Sequence, residues 1–322
     1  MADDNHIKEL LSSSDSLILK TVLFDSRKGQ KCGAIYVEYP VDSNGSPISS
    51  ESEVTTQNTK RAGFNIFNKH QYLTAFYSLG QALKVGKIDQ LTILEGFYPA
   101  DFDAFVEDFE ESAPFDVKHL KIVNLMKDSV MLFMRNIAAG LETIYLDAEG
   151  TNDFPFDELM GFPVFYNCKT IRTDALFNTD AVSTLAKKWI ENDAEIDTKL
   201  QYLAVGDHTV MLEKFVEIFS DRVVFKTQSQ ARIRTNSDSK HILIQLFNRD
   251  SRNFVVCSII SSTTVDSEYD NDLSWGNEMG RNPKINQEDL SWYKKEIPEN
   301  DADAKFWAEH GKGIRQAAFL MH

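Results

Sequence analysis

Residues 128–147 read DSVMLFMRNIAAGLETIYLD, and the reading of this stretch decides the fold. Asp128 and Ser129 suit a helix start, because short polar side chains accept hydrogen bonds from the N–H groups that a first turn leaves unpaired. Val130, Met131, Met134 and Ile137 then recur on one helical face. Gly140 offers the left-handed residue that stops the helix. Leu141, Ile144 and Leu146 follow with the spacing of a strand over 141–147.

Outward from this stretch, the pattern apolar-x-x-apolar-x-apolar recurs. The copies are Ile88/Leu91/Ile93, Val117/Leu120/Ile122, Leu141/Ile144/Leu146, Cys168/Ile171/Thr173, Leu200/Leu203/Val205 and a weaker Ser220/Val223/Phe225. Their middle residues lie 20 to 32 positions apart, which fits one helix plus one strand per interval. Such a unit has one apolar helix face and one apolar strand face, so it must stack on neighbours to bury them. Helical crossovers make the strands parallel. Alternate strand positions are mixed (His119, Lys121, Thr143, Tyr145, Thr170, Arg172, Tyr202), unlike a doubly wound sheet that is apolar on both faces. The pattern predicts an α/β fold: an open, curved, solenoid-like sheet of parallel strands with helices on the outer face, leucine-rich-repeat-like.

The rest of the chain is read against this array. A helix from 68 carries Tyr72, Phe76, Leu79 and Leu83 on one face and is closed by Gly86. A second begins after Pro99 with Phe102, Phe105, Val106 and Phe109. The fourth unit has room for one helical turn at 157–160, the fifth buries Val182, Leu185, Trp189 and Ile190, and the sixth helix spans 209–219. Residues 1–16 are polar and serine-rich and predict a mobile segment; 17–24 and 34–39 predict an N-terminal strand pair around a turn at 27–30. Residues 42–61, nearly devoid of apolar side chains, predict a long surface loop. After a polar break at 227–239, strands over 241–247 and 253–260 predict a C-terminal β-hairpin, and 301–316 a short helix. Three regions result: 1–63 with the strand pair and loop, 64–228 with the array, and 229–322 with the hairpin and tail.

The 322 residues suffice for a large core, and 42% hydrophobic with 26% charged residues is an ordinary globular composition. A net charge of −15 disfavours nucleic acid, which needs a basic face to displace counterions, and equally an anionic membrane surface. Cys32, Cys168 and Cys257 form no CxxC pair, which points to a reducing compartment. No signal peptide or membrane-spanning run is evident, so the expected location is cytoplasmic or nuclear.

No catalytic motif emerges. Gly80 to Lys87 has five residues between its glycines instead of four, and Ile88 stands where a phosphate loop needs Ser or Thr for magnesium. The seven histidines are scattered and form no HExxH, so no zinc site is expected. The acids Glu107, Asp108, Glu110 and Glu111 lack the glycine spacing of a calcium loop and read as a solvated helix face. No Gly-x-Ser-x-Gly elbow exists. The expectation is a chain that is not an enzyme and takes no cofactor or metal.

The run Phe177-Asn178-Thr179-Asp180, then Lys187-Lys188-Trp189-Ile190-Glu191-Asn192 and Lys199-Leu200-Gln201-Tyr202-Leu203, resembles the core of nematode F-box-associated domains of the second type. Ala231-Arg232-Ile233-Arg234, with the strands over 242–246 and 254–257, is similar to that family's closing segment. Where the family has a basic turn before those strands, this chain has Thr235-Asn236-Ser237-Asp238-Ser239. The resemblance covers residues 156–260 and implies the substrate-binding half of a ubiquitin-ligase receptor, although residues 1–60 show no F-box pattern. It implies a protein partner, ubiquitin-ligase components among them. On the residues alone, alternation places Lys121, Tyr145, Arg172 and Tyr202 on the strand face away from the helices, where Tyr and Arg serve as interface anchors.

Overall fold

The computed structural model describes residues 3–12, 16–25, 33–50, 58–66, 69–94, 114–123, 127–147, 156–173, 179–204, 208–249 and 252–265. The helix expected after Pro99, the acids at 107–111, the turn at 27–30 and the helix at 301–316 lie outside the described residues. The chain divides into two compact units between Lys121 and Ile122. Its described elements make a mixed α/β fold on open sheet, with no closure into a barrel.

The first unit holds α1 (Asp3–Ser12), β1 (Leu17–Asp25), β2 (Gly33–Pro40), β3 (Thr59–Ile66), α2 (Lys69–Val85), β4 (Gly86–Leu94) and β5 (Asp116–Val123). The strand order is β3-β2-β1-β4-β5. β1 pairs antiparallel with β2, and β2 with β3, whereas β1 pairs parallel with β4, Leu17 facing Gly86 and Asp25 facing Leu94. α2 forms as its periodicity predicts, with Tyr72, Phe76, Leu79 and Leu83 buried. Its aromatic face meets β1: the Phe24 ring sits edge-on to Tyr72 at 6.1 Å and to Phe76 at 6.3 Å.

Four expectations change here. Residues 3–12 are helical, because Ile7, Leu10 and Leu11, three and four apart, bury against the first unit within an otherwise polar stretch. Of the long loop expected over 42–61, residues 42–46 form a tight turn and 59–61 belong to β3, while 51–57 lie outside the described residues. Asp42 Oδ1 accepts from the N–H groups of Asn44 and Ser46, each at 2.8 Å, and Ile48 is buried. Gly86 does not end α2 by a left-handed turn; it opens β4. A Cβ there would lie 2.5 Å from both Ala82 O and Leu19 Cδ1, so glycine is required by close approach. Gly140 does have a left-handed φ of +116, but the helix Lys127–Asn136 has already ended, so this glycine serves the turn before the strand at Thr143 and not the helix stop expected of it.

The second unit contains α3 (Lys127–Asn136), β6 (Thr143–Asp147), α4 (Phe156–Leu159), α5 (Pro163–Tyr166) and β7 (Thr170–Thr173). It continues with α6 (Thr179–Glu191), β8 (Lys199–Ala204), α7 (His208–Ile218), β9 (Val223–Lys226), β10 (Gln230–Arg234), β11 (Lys240–Arg249) and β12 (Arg252–Ser261). Strand order is β6-β7-β8-β12-β11-β10-β9. β6, β7 and β8 are parallel, as helical crossovers require. From β8 onward every pairing is antiparallel.

An all-parallel array is therefore corrected to a mixed sheet. β9 was the expected sixth repeat strand, yet β12 takes the place beside β8 and β9 lies at the far end of the order. Burial explains the exchange. Every position from 254 to 260 is buried, so β12 is apolar on both faces and gains most from a central place. β9 alternates half-buried with exposed residues, which suits an edge. The polar break at 227–239 contains β10, with Ala231, Arg232 and Ile233 buried.

The helices lock this unit by specific contacts. Trp189 on α6 is fully buried, and its Nε1 donates to Tyr166 O at the end of α5 at 2.9 Å. Phe215 on α7 packs against Phe219 at 4.9 Å between ring centres. Lys240 Nζ reaches the C-terminal end of α6, donating to the carbonyls of Asp193 and Ala194 at 3.0 and 3.1 Å.

Candidate partner-binding face

Cross-strand register sorts the side chains of the second unit onto two faces, since paired residues on neighbouring strands point the same way. One row runs Ile171, Leu200, Cys257, Ile244 and Ala231, all buried and apolar. The next row, on the opposite face, runs Tyr145, Arg172, Gln201, Val256, Gln245 and Gln230 across six strands.

This second row is polar at both ends and closed by hydrogen bonds. Arg172 Nε donates to Gln201 Oε1 at 3.0 Å, and Gln245 Nε2 donates to Gln230 Oε1 at 3.1 Å. Val256, fully buried, separates the two pairs. Beside the row, Phe254 and Val256 form an apolar cluster against which Tyr145, Leu203 and Phe247 pack while half-buried. The face thus joins a half-buried guanidinium and a phenol ring to an aromatic–aliphatic patch.

The four sequence-predicted residues fare differently. Tyr145 and Arg172 are direct neighbours in the row. Lys121 is half-buried on β5, in the first unit, on the side opposite buried Leu120 and Ile122. Tyr202 belongs to neither place. It pairs with Thr173 on one side and Val255 on the other, so it shares the opposite face and is only 5% exposed. Burial pushes its phenol pKa upward. The cause of the error is a register slip. The repeat pattern equated Leu203 with Ile171, whereas the structure pairs Ile171 with Leu200, three residues earlier. An odd shift turns every side chain to the other face. Gln201, 0% exposed and bonded to Arg172, is the residue that belongs there; its place between Leu200 and Tyr202 was the only available signal.

Sequence reasoning also missed a polar knot on this face. Arg232 on β10 is buried, and its guanidinium donates to the carbonyls of Thr264, Ser261 and Ser262 at 2.9, 3.1 and 2.7 Å. Its Nε donates to His241 Nδ1 at 2.7 Å, which fixes that imidazole as the neutral Nε2–H tautomer. Burial, then the charges of Arg232 and Arg234, hold the His241 pKa below its ordinary value. The knot fastens the turn after β12 to β10.

Among the described residues, no group of three His, Cys, Asp or Glu side chains is placed to hold a metal ion. Cys168 and Cys257 are buried free thiols, and burial raises the Cys168 pKa to about 12. No described helix is long and apolar enough to cross a membrane. In comparison with known proteins, the chain matches no family model, no curated protein and no solved structure.

Proposed function

We propose that the chain is a non-enzymatic protein-recognition scaffold that receives its partner on the Tyr145–Gln230 face of the second unit. The observation carrying this reading is the Tyr145–Arg172–Gln201 arrangement. A guanidinium held in place by a buried glutamine, next to a tyrosine and an apolar cluster, is a pre-ordered anchor that loses little entropy on binding. The reading takes β6, β7 and β8 with their helical crossovers as a short leucine-rich-repeat-like array. Following the resemblance to F-box-associated domains, the partner is a substrate delivered to a ubiquitin ligase.

Affinity purification of the tagged full-length protein from its own cells, with mass spectrometry, tests this. A parallel sample carries Tyr145→Ala and Arg172→Ala, both at half-buried positions. The expected result is a protein recovered by the parent and lost by the double variant, with unchanged circular dichroism, accompanied by ligase subunits. The same partner without ligase subunits means a stand-alone scaffold. A partner list unaffected by the double substitution refutes the face.

A further inference from the structure

We propose that β9 is a docking edge for an extended acidic peptide, which adds to the sheet as a further strand. β9 closes the strand order and pairs with β10 alone among the described strands. Thr227 N–H donates to Gln230 O at 2.8 Å and Arg234 N–H to Arg222 O at 2.9 Å, so these positions face β10. Antiparallel alternation then turns the backbone N–H and C=O of Lys226 outward. The register shifts where Arg232 and Ile233 face Phe225 and Val223. Val224 is left between them without a cross-strand partner, and it is 46% exposed.

Charge identifies the occupant. Residues 222–240 carry Arg222, Lys226, Arg232, Arg234 and Lys240 against the single acid Asp238, in a chain of net charge −15. Arg232 is committed to carbonyls and Lys240 to Asp193. Lys226 and Arg234 are exposed, and among the described residues no ion pair or side-chain hydrogen bond holds either. Register sets them on opposite faces of the sheet: Lys226 pairs with Ala231 of the apolar row, whereas Arg234, one strand in on β10, shares the face of Arg232 and Gln230. Arg222 lies next to Arg234, whose N–H it accepts, and its Nη1 donates to Asn236 Oδ1 at 3.0 Å. Two copies of this chain pairing β9 to β9 would bring these cations against one another, and like charges across a strand pair repel. An incoming strand with carboxylates on both of its faces, one set meeting Lys226 and the other Arg222 and Arg234, satisfies both the charge and the edge.

This site does not rest on the sheet-face reading, since Lys226 and Arg234 lie outside the Tyr145–Gln230 row. The test is fluorescence anisotropy with a fluorescein-labelled peptide of repeating Glu-Glu-Val-Val, which carries carboxylates on both faces of a strand. Two companions have alternate backbone nitrogens methylated, one in each phase, which keeps the charge and removes strand pairing. The expected results are saturable binding of the parent peptide and at least about tenfold weaker binding of one methylated phase. Lys226→Glu with Arg234→Glu, at exposed positions that leave the thermal midpoint unchanged, weakens the parent peptide by at least about tenfold. Absence of binding, equal binding of both methylated phases, or indifference to the charge reversal overturns the proposal.

Discussion

Replacing Arg232 by methionine keeps the apolar stem of the side chain and deletes the guanidinium that ties β10 to the turn after β12. Four hydrogen bonds go at once: three to the carbonyls of Ser261, Ser262 and Thr264, and one to His241 Nδ1. A bond from a charged donor is worth about 1.5–3 kcal/mol, but the half-buried carbonyls here regain water when the guanidinium leaves. Counting two of the four as a net loss gives a destabilisation of about 3 kcal/mol for Arg232→Met. Arg232→Lys, a point charge without the planar fork, meets fewer acceptors and costs about 1–2 kcal/mol. Urea unfolding followed by circular dichroism measures both, and hydrogen exchange reports whether amides at 261–265 lose protection. A stability for Arg232→Met within about 0.5 kcal/mol of the parent would refute the assignment of Arg232 as the fastening of this turn.

His241 makes the same knot dependent on acidity. Its folded pKa is depressed from the ordinary 6.5, so the unfolded chain binds a proton that the folded one refuses. The stability it contributes is full above that ordinary value and is lost as pH falls below it. His241→Gln can accept from Arg232 without titrating, so its urea midpoint should fall less than the parent's between about pH 7.5 and about pH 5.5; equal slopes would sink the argument. Ser183, buried within α6, has a hydroxyl with no hydrogen-bond partner among the described residues. Ser183→Ala removes that orphan and improves helix propensity, so the protein should gain about 1 kcal/mol in the same assay.

The helices were largely legible in the sequence because their burial is one-sided. Tyr72, Phe76, Leu79 and Leu83, or Val182, Leu185, Trp189 and Ile190, recur at helical spacing and occupy the core as a period of 3.6 demands. Strands β1, β2, β11 and β12 were legible from their length and β-branched content. The β1–β2 pair, the β11–β12 hairpin and the parallel run β6-β7-β8 were legible as neighbours too; where these blocks join was not. Local spacing cannot show that β12 outcompetes β9 for the place next to β8, because the contest is decided by residues some fifty positions apart. The candidate face suffered from the same blindness. Tyr145 and Arg172 share it because the Ile144 and Ile171 register was read correctly; Tyr202 does not, because Leu200 and Leu203 are equally apolar and only tertiary pairing chooses between them. Short elements in polar surroundings, α1 and β3, escaped for want of apolar signal.

The central place of β12 also orders events during synthesis. β8 is made early and presents an apolar edge with unpaired backbone groups, while the strand that covers it is the last described in the unit. A nascent chain therefore carries an open, adhesive edge on β8 until residues 252–261 have left the ribosome, and only then can the parallel and antiparallel parts of this unit close on one another. Pairing of such large sequence separation is slow to form, so this chain has a built-in interval in which a chaperone is of use to it.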